Sequence, residues 1–172
     1  FMPKPAIHEI AGDGDSSSGS ETPGDWKPQP NVPHEVYIVM PEHKEDAIVQ
    51  LVRSGGDVPK KGAGKGGRAR PVRTVVFCRT RAYAETITEL LSDSGVRAIS
   101  LHGDLSQSRR ELNLAKFVEG RADVLVATDV AARGIDIPDV RHVYNFDLPN
   151  VPEDYVHRIG RTGRAGRDGR AV

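Results

Sequence analysis

The run Thr74-Val75-Val76-Phe77-Cys78, a helical pattern over 81–93 and the run Arg97-Ala98-Ile99-Ser100-Leu101 together decide the architecture. The two outer pieces are apolar runs of strand length, rich in residues that favour a pleated, buried surface. Between them Tyr83, Ile87, Leu90 and Leu91 recur at the spacing of one helical face. A strand without polar alternation is buried on both sides, as strands are in a parallel sheet covered by helices. The pattern repeats downstream. A helix is predicted over 106–119 with Leu114, Phe117 and Val118 inward, then a strand at 123–127 and a short helix near 130. A strand over 141–146 and a helix over 152–160 follow. Upstream, Tyr37-Ile38-Val39-Met40 reads as a further buried strand ended by Pro41, and 43–53 as a helix with Ile48, Leu51 and Val52 on one side. Strands alternating with amphipathic helices predict an α/β fold in three layers, α/β/α, with a mostly parallel central sheet.

Two stretches lie outside that pattern. Residues 1–31 are rich in Gly, Ser, Asp and Pro, too poor in apolar side chains to offset the entropy of ordering, and are expected to be a flexible leader. Residues 54–71 form a Gly-, Lys- and Arg-rich insertion, expected to be disordered, with weak nonspecific RNA affinity as its other reading. Its Gly62-Ala63-Gly64-Lys65-Gly66 is not a phosphate loop. Pro59 stands where that motif needs its first glycine, Gly66 stands where it needs a hydroxyl, and no strand leads in. The domain proper is expected to run over 32–172.

Formal net charge is zero, so the chain lacks a global basic signature for nucleic acid, and contact must come from local patches. One such patch is Lys60, Lys61, Lys65, Arg68, Arg70 and Arg73, with no acid among them. Cys78 is the single cysteine and lies in an apolar run, which excludes an internal disulfide and marks it as a small core residue. No cluster has metal-ligand spacing, and there is no signal peptide or long apolar run. The expectation is an intracellular protein without a membrane segment, in the nucleus, nucleolus or cytoplasm, acting as a monomer. Neither end of the chain reads as a natural terminus, so a longer parent is expected.

Polar clusters follow each predicted strand: Arg79-Thr80-Arg81, His102-Gly103-Asp104, Thr128-Asp129, and Asp147. In parallel sheets, ligands bind beyond the carboxyl ends of strands, so these clusters share one functional rim. One short helix further on comes His157-Arg158-Ile159-Gly160-Arg161-Thr162-Gly163-Arg164-Ala165-Gly166. Arginine carries a rigid fork of donors that matches phosphate oxygens, and glycine lets backbone approach a ligand closely. The competing reading is a disordered Arg/Gly tail, because Arg158, Arg161, Arg164, Arg167 and Arg170 recur every third residue. Tyr155, Val156 and Ile159 favour a docked helix instead.

In this order, these segments resemble the second RecA-like domain of superfamily 2 helicases, specifically the DEAD-box RNA helicases. Val75 to Thr80 is similar to motif IV, 102–110 to the adjoining motif with its Gln-x-x-Arg element, 127–136 to motif V and 157–164 to motif VI. The resemblance implies an ATP-dependent RNA helicase whose ATP-binding N-terminal domain is not in this sequence. Arg161 and Arg164 would stabilise charge on the transferring γ-phosphoryl group, and Gly134 and Asp136 would serve ATP binding. Asp136 has an alternative role as a turn carboxylate before Pro138. Thr80, Arg81, Gln107, Arg110 and Thr128 would face single-stranded RNA or short duplexes through phosphate, largely without reading sequence. His157 would couple to the N-terminal domain, and Arg133 would serve either ATP or that interface. Asp104 and Asp129 would orient neighbours, and Gly103 and Gly134 would make tight turns. Motif IV departs from the family at Arg81-Ala82, where Lys-Arg is usual. ATP would act with Mg²⁺ held in the N-terminal domain, so this chain alone would not turn over ATP. The alternatives are a superfamily 2 DNA helicase or remodeller domain, and a non-hydrolysing RNA-binding module.

Overall fold

The structure is a computed structural model that describes residues 32–55, 73–133, 135, 137, 140–163 and 169–172. The expected leader and most of the basic insertion lie outside them. A 3-10 turn at Pro41–His43 leads into α1 (Lys44–Arg53). There follow β1 (Thr74–Cys78), α2 (Arg81–Asp93), β2 (Ala98–Leu101), α3 (Gln107–Val118), β3 (Val124–Thr128), α4 (Asp129–Ala132), β4 (His142–Asn145), α5 (Pro152–Ile159) and β5 (Arg170–Ala171). The strands form one sheet in the order β2-β3-β1-β4-β5, and every pair is parallel. The expected three-layer α/β architecture is the one observed.

Each layer follows from local chemistry. The hydroxyl of Thr80 accepts the Tyr83 N–H at 3.2 Å and starts α2; Ser106 does the same for Arg109 at 3.3 Å and starts α3. Capping of this kind satisfies backbone donors that the first helical turn leaves unpaired. On one face of the sheet Ile48, Val52, Ala84, Ile87 and Leu91 pack on Val76, Val126 and Tyr144. On the other, Phe117, Ala131, Ala132 and Ile137 pack on Val75, Phe77, Leu125 and Val143. All five residues of β1 and of β3 are buried, as their unbroken apolar runs require. A smaller cluster joins Val32, Ile159 and Ala171.

The sequence expectations fail at identifiable places. Tyr37–Met40 is extended but is no strand, and Ile38 is 69 % exposed. The chain reaches the sheet earlier: His34 bridges Ala171 in parallel, and Glu35 N–H donates to the Ala171 carbonyl at 2.8 Å. An apolar run becomes a strand only where a neighbour can pair with it. On α2 the inward position goes to Ala84, and Tyr83 stays 46 % exposed with its ring tilted against Phe146. On α3, Val118 points outward, and Asn113 turns inward to donate to the Ser100 carbonyl at 2.8 Å. The two-residue β5 is too short to leave a periodic signal.

Of the glycines expected to make turns, Gly103 lies outside the left-handed region, and a Cβ there would meet nothing within 4 Å. Gly134 is outside the described residues. Gly163 combines a left-handed backbone, φ +72°, with a close neighbour, and a Cβ on Gly169 would fall 2.3 Å from the Thr162 hydroxyl.

Candidate functional site

The sheet register sets the carboxyl ends of three strands side by side. Cys78 is level with Thr128, and Phe77 is level with Asn145. The residues just past those ends are thereby gathered on one rim, as the polar clusters of the sequence suggest.

Arg158 sits at the centre of this rim, 2 % exposed. Its Nε and Nη2 donate to the two carboxylate oxygens of Asp129 at 2.6 and 2.7 Å. Its Nη1 donates to Asn145 Oδ1 at 3.1 Å and to the Asp147 carbonyl at 2.6 Å. The guanidinium lies 5.0 Å from the centroid of the Phe77 ring, within cation–π range. A buried charge is tolerable only when paired and hydrogen-bonded in this way.

Asp147 ties the same rim to α1. Its carboxylate accepts from Lys44 Nζ at 2.7 Å and from the Arg79 N–H at 2.9 Å, while Lys44 lies over the Phe146 ring. Burial pushes the Asp147 carboxyl up, but the Lys44 hydrogen bond, the Arg79 N–H and the nearby positive charges outweigh it and hold the group below its ordinary range. Cys78, beneath the rim, is pushed up to about 12 by burial and then by the Asp147 charge, against the pull of Lys44 and Arg158. A thiol in that state is a core residue and no nucleophile.

An open cleft on this rim is lined by Arg133, His157, Arg158 and Arg161 together with Asp129 and Asp154. Arg133 extends from the end of α4 to Asp154 at 2.7 Å, and Arg158 holds Asp129. Both carboxylates are thus engaged by guanidinium groups. The donor set suits phosphate oxygens. It does not suit Mg²⁺, which needs carboxylates free to ligate. Arg161 is partly buried and its Nη1 donates to the Ile135 carbonyl at 3.0 Å; His157 is exposed. The following Thr162 is fully buried, its hydroxyl donating to the Val140 carbonyl at 2.5 Å and lying 3.0 Å from that of Arg141. A disordered Arg/Gly tail does not bury Arg158, Ile159 and Thr162, so over 157–163 that reading is set aside.

The remaining expected site residues fall as follows. Thr80 caps α2 on the rim. Arg81 is exposed and pairs with Asp104 from the β2–α3 connection. Gln107 opens α3 and donates to Glu111 at 2.8 Å. Arg110 reaches back to the Ala131 carbonyl of α4 at 3.3 Å. Thr128 ends β3 and is 7 % exposed. Gly134, Asp136 and Arg164 lie outside the described residues. Sequence pattern alone marks neither Arg158 as a structural centre nor Asp147 and Asp154 as anchors. The signal available was Arg158 within the apolar Tyr155-Val156…Ile159 spacing, a charged residue on the buried side of a short helix.

Comparison with known proteins agrees with this geometry. Residues 62–166 match the helicase conserved C-terminal domain family. The DEAD-box ATP-dependent RNA helicase CshA of Bacillus licheniformis is 56 % identical over 102 residues, 59 % of this chain and 21 % of the relative. The ATP-dependent RNA helicase dbp3 of Emericella nidulans is 40 % identical over 172 residues, all of this chain and 31 % of the relative. Among solved structures, the Escherichia coli DEAD-box protein SrmB bound to the regulator of ribonuclease activity A is 43 % identical, with a TM-score of 0.63 over 76 % of this chain and 69 % of that one. The chain belongs to the helicase C-terminal domain family, in its DEAD-box RNA helicase branch, with the RecA-like sheet of that branch. It spans about a fifth of the length of CshA and under a third of dbp3.

Proposed function

We propose that this chain is the C-terminal RecA-like half of an ATP-dependent RNA helicase and completes an ATP site against an N-terminal domain of the same protein. The observation that carries this reading is the rim cleft, where Arg133, His157 and Arg161 converge while the local carboxylates are already engaged. Arg161 and Arg164 stabilise charge on the γ-phosphoryl group as it transfers, the task of an arginine finger. Gly134 and Asp136 contact the nucleotide. His157 and Arg133 meet the N-terminal domain, which also holds Mg²⁺. Thr80, Arg81, Gln107, Arg110 and Thr128 hold RNA phosphates, so binding is sequence-tolerant and weakens with salt.

With half of the site elsewhere, this chain alone binds RNA weakly and does not hydrolyse ATP. In the full-length protein the two domains close on single-stranded RNA with ATP in the cleft, and hydrolysis reopens them. The test is steady-state ATP hydrolysis by the full-length protein with single-stranded RNA and with DNA of equal length. Stimulation by RNA and not by DNA is expected. Equal stimulation by DNA supports a DNA-directed helicase, and no hydrolysis under either condition supports a binding module.

A further inference from the structure

One guanidinium touches both sides of the rim. Arg158 lies on α5 between His157 and Arg161, the residues proposed to face the N-terminal domain and the phosphate. Its bidentate partner Asp129 directly follows Thr128 and opens α4. The same α4 receives Arg110 through the Ala131 carbonyl and presents Arg133 at its end. Thr128 and Arg110 are proposed RNA contacts. The Arg158–Asp129 pair therefore joins the element beside the proposed RNA contacts to α5, as the more exposed Arg133–Asp154 pair also does.

Stability alone does not account for such a pair. Desolvating two charges offsets most of their attraction, and apolar residues of equal volume often serve a core as well. A bidentate fork adds fixed geometry instead: two parallel hydrogen bonds lock the angle between the elements that carry the partners. Here the fork is held further by Asn145, the Asp147 carbonyl and the Phe77 ring. Any displacement of α4 on binding RNA must move α5, or else break two charge-assisted hydrogen bonds in a buried site.

We infer that Arg158 and Asp129 form a positioning pair that couples RNA occupancy at the ends of β3 and α3 to the placement of His157 on α5 and of Arg161 just past its end. This rests on the helicase reading above. Coupling between two sites is measured as the factor by which one ligand changes the affinity for the other.

The experiment uses the full-length protein. Affinity for a non-hydrolysable ATP analogue is measured with and without saturating single-stranded RNA, and RNA affinity is measured with and without the analogue. Asp129→Asn keeps the volume and one acceptor oxygen but removes the charge. It is expected to lower the coupling factor about tenfold or more, a larger change than in either ligand's affinity on its own. Asp129→Glu restores the carboxylate and should recover part of the coupling. Arg158→Lys, which keeps the charge without the fork, is the second variant should Asp129→Asn fail to fold, and it should also lose coupling. A coupling factor that survives both substitutions, with stability alone reduced, overturns the inference. A wild-type protein that binds both ligands with no coupling between them contradicts the helicase reading itself, a distinguishable failure that removes the inference with it.

Discussion

A Cβ placed on Gly163 would fall 2.6 Å from Cγ2 of Val32, and Gly163 holds φ +72°. Two separate costs thus attach to any side chain there. The left-handed backbone costs an L-residue about 1–2 kcal/mol, and crowding a packed contact adds about 1–3 kcal/mol. Gly163→Ala should destabilise the domain by about 2–5 kcal/mol in chemical unfolding, the sum of those terms. In a double-mutant cycle Val32→Ala should relieve the crowding part and leave the backbone part, a positive coupling between residues far apart in sequence. Additive effects would show that the contact does not constrain the turn.

The Thr162 hydroxyl donates to the Val140 carbonyl and lies close to that of Arg141 in a fully buried position. Thr162→Val keeps the shape and strips the donor. It should cost about 1–3 kcal/mol, the penalty for leaving a buried polar group unsatisfied. Thr162→Ser should recover most of the loss. Equal stability of the valine variant would mean that the hydroxyl contributes nothing to anchoring the segment after α5.

The Asp147 carboxyl is held below its ordinary range, chiefly by Lys44 and the Arg79 N–H working against burial. For a group depressed on folding, the stabilisation is fully present above the unfolded-state value, about 3.9. It is lost as pH falls through the lower folded value. Stability should therefore decline below about pH 4, and Asp147→Asn should be less stable at neutral pH with a shallower decline in acid. Urea midpoints measured from pH 2 to 7 check this. An unchanged acid slope in the variant would place the linkage in other carboxylates.

Cys78 is buried under the rim with its thiol pushed up to about 12. At neutral pH it should resist alkylation in the folded domain and react quickly once denaturant is added. Fast labelling of native protein would show that the rim opens on the timescale of the reagent.

Much of this fold is legible in the amino-acid sequence. β1 and β3 are unbroken apolar runs, and such runs are buried wherever a partner strand flanks them. Tyr37–Met40 misled because its pattern is equally apolar; pairing is decided by the neighbour, and the neighbour takes His34 and Glu35 instead. The rim was legible because a polar cluster follows each strand end, where parallel sheets gather such residues. The way those residues are held was not. Arg158 is buried on α5 while Arg161 follows the end of that helix, a difference in setting that two arginines three residues apart do not reveal. Arg81 and Arg133, expected to serve RNA and to serve ATP or the domain interface, pair across the fold with Asp104 and Asp154, partners that the sequence pattern does not mark.

The central claim is that this rim supplies charge stabilisation for phosphoryl transfer, and Arg161→Ala in the full-length protein tests it most directly. RNA-stimulated kcat should fall by about 10³-fold or more, while RNA affinity and binding of a non-hydrolysable ATP analogue change by only a few-fold. Arg161→Lys should restore little, since a point charge lacks the fork. A kcat within about threefold of wild type would contradict the account and leave the cleft a binding surface without a part in the chemistry.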